Sequence, residues 1–152
     1  SGVLLMDSKK LRELNFVGKF LNLYTKYQFD VVAPDQDYIN AMCYNHIKYL
    51  SDRYDAMPNP NNRQIENPII IHYNLFLKPW QYDEVQYKDY FWKYAKDTPY
   101  YDEIKNIKEN YSEKDKKQDN KFMNQMVERA YALTKEQKTL KNVFETGKEQ
   151  RL

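Results

Sequence analysis

Apolar positions follow two kinds of pattern along this chain. Short continuous runs stand at 3–6 (Val3, Leu4, Leu5, Met6) and at Ile69, Ile70 and Ile71, the pattern of strands covered on both faces. Elsewhere the apolar residues recur at helical spacing. Leu11, Leu14, Val17, Leu21 and Tyr24, behind the capping pair Asp7 and Ser8, predict a helix over 8–28. Gly18 interrupts it at a cost of about 1 kcal/mol relative to alanine. Pro34 breaks the chain and Asp35 caps a second helix, whose apolar face is Ile39, Met42 and Cys43.

Residues 47–50 predict a brief strand. Residues 51–67 are rich in Pro, Asn, Asp and Arg and predict a loop, long enough to be of the functional or mobile kind. Residues 83–96 predict a helix ended by Thr98 and Pro99, and another begins at Tyr100 and fades into the charged run 109–121. Phe122, Met126, Leu133, Leu140 and Phe144 then predict one amphipathic helix to about 145, stopped by Gly147. No internal repeat is visible. The pattern is α/β, mixed α and β and mostly helical.

Composition narrows the function classes. At 152 residues the chain fits one domain. Its glycines, Gly2, Gly18 and Gly147, are too few and too scattered for a Gly-rich phosphate loop. A net charge of +2 with interspersed signs gives no nucleic-acid footprint. Cys43 stands alone, so no internal disulfide forms and a reducing cytoplasm fits. No apolar run approaches the roughly 20 residues of a membrane span. Between Lys114 and Arg151 ten basic residues face six acidic ones, a weak hint of a membrane surface; such helices more often cover a core or a partner. A chain that opens inside a strand pattern is expected to be part of a longer protein.

The candidate chemistry lies where the second strand pattern ends. Beyond the isoleucines come His72, Tyr73, Asn74, Lys78, Pro79 and Trp80, ligand-handling groups at a strand end, where α/β proteins tend to bind substrates. A divalent ion on His72 and the ammonium of Lys78 would suit a diphosphate; a histidine there is otherwise a hydrogen-bonded core residue. Trp80 reads as packing. Asp35-Gln36-Asp37 reads either as a helix N-terminus, where negative charge is favourable by about 0.3–1 kcal/mol, or as a carboxylate and amide for sugar hydroxyls. Arg53, within Asp52-Arg53-Tyr54-Asp55, reads as structure, and the aromatic run Tyr87, Tyr90, Phe91, Trp92, Tyr94 as a helix covering a core. His46 is assigned nothing.

In order, Ser1-Gly2-Val3-Leu4-Leu5-Met6-Asp7, Pro34-Asp35-Gln36-Asp37-Tyr38-Ile39-Asn40, Lys48-Tyr49-Leu50 with Asp52-Arg53-Tyr54, and Ile71-His72-Tyr73 with Lys78-Pro79-Trp80 resemble the second half of a family 8 glycosyltransferase. These retaining enzymes include glycogenin and bacterial lipopolysaccharide galactosyl- and glucosyltransferases. The resemblance implies the C-terminal part of a GT-A nucleotide-sugar fold over 1–99, with a helical extension over 100–152. It implies transfer of a hexose from a UDP-sugar to a saccharide or lipopolysaccharide-type acceptor, with Mn²⁺. By position, His72 is then the metal ligand, Lys78 contacts the donor diphosphate, Asp35 holds donor-sugar hydroxyls, and Gln36 lies near the anomeric carbon.

Two departures bear on these roles. The family's Asp-x-Asp motif and uridine pocket lie upstream, and so does an Asn expected before Ser1. Where some relatives place a glycine between the His and the Lys, this chain has Asn74-Leu75-Phe76-Leu77. The isolated segment is accordingly expected to be inactive, to self-associate through exposed strand edges, and to belong to a cytoplasmic or membrane-peripheral bacterial protein. The alternatives are a non-enzymatic helical interaction module and a membrane-peripheral adaptor.

Overall fold

The computed structural model describes residues 2–61 and 63–152. Ser1, in the first expected strand segment, and Asn62, in the expected loop, lie outside the described residues. Seven α-helices are found among those residues: α1 Ser8–Glu13, α2 Phe16–Tyr27, α3 Pro34–Met42, α4 Lys88–Ala95, α5 Tyr101–Glu109, α6 Glu113–Leu133 and α7 Leu140–Glu145, with a 3₁₀ turn at Asp52–Tyr54.

Local chemistry explains the boundaries. The Asp7 carboxylate accepts from the Lys10 amide at 3.0 Å and caps α1. The single helix predicted over 8–28 breaks at Asn15, which takes the left-handed conformation with φ 51°, one that Asn tolerates better than most residues. Gly18 sits inside α2 because a Cβ there would come 2.5 Å from the Asn15 side-chain amide. At α3, Pro34 occupies the first turn and Ala33 the cap. The capping carboxylate is Asp37, reaching back to the Val32 and Ala33 amides at 3.0 and 3.1 Å. The charged run does not fade out of helix, since Ser112 and Asp115 form a reciprocal cap that starts α6. The helix predicted to run on to 145 is split, and Thr139 caps α7 through the Asn142 amide at 3.2 Å.

The expected α/β class is wrong. No strand exists among the described residues; pairing is limited to an isolated parallel bridge between Ala56 and Ile71. The Ala56 amide donates to the Ile70 carbonyl and the His72 amide to the Ala56 carbonyl, both at 3.0 Å. The run at 3–6 has no partner strand among the described residues, and Leu4, Leu5 and Met6 are 46, 87 and 53% exposed. Apolar, β-branched sequence favours extended backbone, but a strand exists only where a neighbour satisfies its row of amides and carbonyls. With no described sheet here, the GT-A architecture expected for this segment is not what it forms.

The chain divides into two compact units. Unit 1 comprises Val3–Tyr49 and Met123–Leu152. Its core is Leu23, Phe29, Tyr38, Met42, Leu140, Val143 and Phe144, each buried apolar side chain contributing about 1.5–3 kcal/mol. Phe20 packs edge-on against Tyr38 at 5.0 Å. The C-terminal residues belong to this core: the Leu152 amide donates to the Met42 carbonyl at 3.0 Å, and the Arg151 guanidinium donates to the Ala41 carbonyl while covering the Tyr44 ring at 4.5 Å. Glu149 accepts from Lys26 at 2.6 Å and from the Tyr27 hydroxyl at 2.7 Å. The Tyr38 hydroxyl is buried without a partner among the described residues, and burial pushes its pKa up. An unpaired buried hydroxyl is a cost, so Tyr38→Phe is expected to stabilise the chain by about 1 kcal/mol in urea unfolding. Destabilisation by that amount would mean that the hydroxyl has a partner.

Unit 2 comprises Leu50–Phe122 together with Gly2. Ala56, Val85, Tyr87 and Ala95 are buried, and Tyr73, Trp80, Phe91 and Trp92 form a run of ring contacts 4.8–6.3 Å apart. Arg53 closes the 51–67 loop: its carbonyl accepts from the Ile69 and Ile70 amides and its Nε donates to the Asn67 carbonyl at 2.7 Å. Asp119, on α6, accepts from the hydroxyls of Tyr82 and Tyr111. Burial and that carboxylate push the Tyr82 phenol up to about 12. No helix among the described residues is long and apolar enough to cross a membrane.

Candidate functional site

His72 follows directly from the bridge. The two hydrogen bonds on either side of Ile71 fix the backbone there, and the His72 ring comes out beside the 3₁₀ turn at Asp52–Tyr54. Its Nδ1 lies 3.1 Å from Asp55 Oδ1, and both side chains are 33% exposed. Gly2 covers the same edge of the ring: a Cβ there would come 1.9 Å from Nδ1 and 2.6 Å from Asp55 Oδ1. No described residue hydrogen-bonds Nε2. The ring therefore has one occupied and one open nitrogen.

Lys78 stands at a tight turn, where its carbonyl accepts from the Gln81 and Tyr82 amides at 3.0 Å. Pro79 is fully buried and anchors the turn. The Lys78 ammonium lies 5.3 Å above the Trp80 ring, which packs at 4.8 Å on Phe91. No described carboxylate pairs with Lys78. A half-buried ammonium resting on an indole and otherwise open is able to take a ligand anion.

Asp35 and Gln36 lie in unit 1, both exposed on the first turn of α3. Asp37, their neighbour, is committed to the backbone at 32–33. Of the four residues singled out from sequence, His72 and Lys78 therefore belong to unit 2 and Asp35 and Gln36 to unit 1.

Two residues of the site were missed in the sequence. In the sequence Asp55 stood within a segment read as structure, and Gly2 was one of three scattered glycines. They meet His72 only through the bridge and the turn, across 17 residues in the case of Asp55, and no periodicity announces such a contact.

The donor set tests the expected metal. An imidazole nitrogen without a hydrogen-bond partner among the described residues suits a divalent transition ion, and the fit extends to one ligand of this chain. Among the described residues no group of three or more His, Cys, Asp or Glu could hold an ion by itself. The remaining ligands would be carboxylate, phosphate or water from outside these residues.

Comparison with known proteins adds the following. The family model described as glycosyl transferase family 8 matches residues 1–84, more than half of the chain. A putative glycosyltransferase of Haemophilus influenzae (strain ATCC 51907 / DSM 11121 / KW20 / Rd) is 31% identical over 58 residues, which is 38% of this chain and 18% of that protein. The chain thus spans less than a fifth of the curated relative it matches. No solved structure matches it.

Proposed function

We propose that this chain, which belongs to glycosyl transferase family 8, supplies part of the donor site of a retaining transferase that moves a hexose from a UDP-sugar to a saccharide or lipopolysaccharide-type acceptor. The observation that carries the reading is the match over 1–84, which includes Asp35, Gln36, His72 and Lys78. The Nε2 of His72 and the ammonium of Lys78, neither of them paired among the described residues, support it. Residues 1–99 form the family segment in this reading, and 100–152 its helical extension.

His72 would hold Mn²⁺ through Nε2, and the bound ion would supply charge neutralisation at the diphosphate. Lys78 binds the same diphosphate as a point charge. Asp35 accepts hydrogen bonds from donor-sugar hydroxyls. Gln36 directs its amide dipole at the anomeric carbon, where positive charge develops as the leaving group departs. The complete protein is bacterial and works in the cytoplasm, in contact with a membrane surface if its acceptor is lipid-linked.

The 152-residue chain alone is expected to be inactive, because in this reading His72 is the one metal ligand it offers, and no group of three or more His, Cys, Asp or Glu among the described residues could hold an ion by itself. The test is UDP release from UDP-glucose and UDP-galactose with Mn²⁺, run on this chain and on the complete protein. The expected result is no turnover by the chain, and turnover by the complete protein that EDTA abolishes. Turnover by the chain alone would refute its inactivity. No turnover of any UDP-hexose by the complete protein would refute the reading, and favour an interaction module, for which the exposed apolar residues of α6 (Phe122, Met123, Val127 and Tyr131) would be the contact face.

A further inference from the structure

The site leaves Asp55 without a role. Neither its place in the sequence nor the reading above assigns one, yet its carboxylate meets the ring nitrogen of His72 at 3.1 Å. An ionised carboxylate only accepts hydrogen bonds, so Nδ1 must donate, and a neutral imidazole that donates from Nδ1 carries its lone pair on Nε2. Imidazole in water favours the opposite tautomer. Gly2 strengthens the selection. It lies so close to the Nδ1 edge that a Cβ would stand 1.9 Å from Nδ1 and 2.4 Å from Cε1, so no ligand reaches the ring from that side. The imidazole is also fixed in rotation, since turning it over would remove Nδ1 from the carboxylate.

We propose that Asp55 is a positioning residue that locks the His72 imidazole with its proton on Nδ1, so that Nε2 is presented as the ring's metal-binding atom. Carboxylates behind metal-binding histidines act in this way generally: they fix the tautomer and ring orientation, and losing one costs about 10–100-fold in metal affinity. The inference rests on the reading of His72 as a metal ligand and adds the residue that prepares it. Gly2 is the second part of the device, as the residue small enough to close the Nδ1 edge without displacing the ring.

The experiment is ¹⁵N NMR of the His72 ring in the 152-residue chain, at about pH 9 where an ordinary imidazole is neutral. His46→Gln removes the other histidine signal. The expected result in the parent chain is a protonated Nδ1 and a bare Nε2. Asp55→Ala should shift the ring toward the water-like tautomer, whereas Asp55→Asn, which keeps an acceptor oxygen, should largely retain Nδ1–H. A second readout is paramagnetic broadening of the His72 ring protons by Mn²⁺, which in Asp55→Ala should need about 10–100-fold more Mn²⁺ than in the parent chain.

A parent chain with its proton mainly on Nε2 would overturn the proposal without any variant, whatever Asp55→Ala does to folding. Broadening at the same Mn²⁺ in the parent chain and Asp55→Ala would overturn the positioning role alone and leave His72 as a metal ligand. A locked tautomer with no Mn²⁺ broadening of His72 at any concentration would overturn both the proposal and the reading beneath it.

Discussion

Replacing Met42 by alanine is expected to cost about 2–5 kcal/mol of stability, the range for removing a fully buried methionine side chain. Met42 is 1% exposed and stands in the one described core cluster with Leu23, Tyr38, Leu140, Val143 and Phe144. It is the last residue of α3, and its carbonyl receives the Leu152 amide. The alanine would leave a cavity among side chains from three helices that cannot all relax into it. Folded domains have only about 5–15 kcal/mol of total stability, so the loss would remove a large share of what keeps unit 1 folded. Urea unfolding followed by far-UV circular dichroism measures it. A loss under about 1 kcal/mol would show that the core around α3 is not packed as described.

Lys78→Met in the complete protein is expected to lower kcat by about 10²–10³-fold, the usual loss when a group that stabilises developing charge is removed. The contact with Trp80 is made by the ammonium itself, 5.3 Å from the ring, so methionine, close to the lysine stem in length, removes the charge and that contact with little change in volume. The charge on the departing diphosphate grows toward the transition state, so the loss should appear in kcat more than in KM. Steady-state rates with a UDP-hexose and Mn²⁺ decide it. A variant with a raised KM and unchanged kcat would mean that Lys78 only holds the donor in its ground state. One with both unchanged would remove Lys78 from the site.

These two substitutions probe features of different legibility. Met42 was readable in advance as part of an apolar helix face with Ile39 and Cys43, because helical periodicity is a local property of sequence. The helices of unit 1 were readable for the same reason, and Asp7 was a legible cap. Breaks were harder. Asn15 and Thr139 end or begin helices through single backbone conformations and single hydrogen bonds, which a periodic apolar pattern passes over. The strands failed for a different reason. Val3, Leu4, Leu5 and Met6, and the isoleucines at 69–71, carry extended propensity, but a strand is defined by a partner, and sequence propensity does not supply one.

For the site, the sequence by itself determined the chemical types. It placed an imidazole six positions before an ammonium, a proline and an indole after that ammonium, and an aspartate with a glutamine at the start of a helix; with the match over 1–84, these carry the family. Only the tertiary structure decided which groups meet. It put Asp55 and Gly2 against one nitrogen of His72, rested Lys78 on Trp80, and turned Asp37 back onto its own helix N-terminus. The physical reason is range. Capping, periodicity and composition act within a few residues of chain, whereas a hydrogen bond between residues 17 apart forms only after the bridge at Ala56 and Ile71 and the turn at Asp52–Tyr54 have brought two separate segments together.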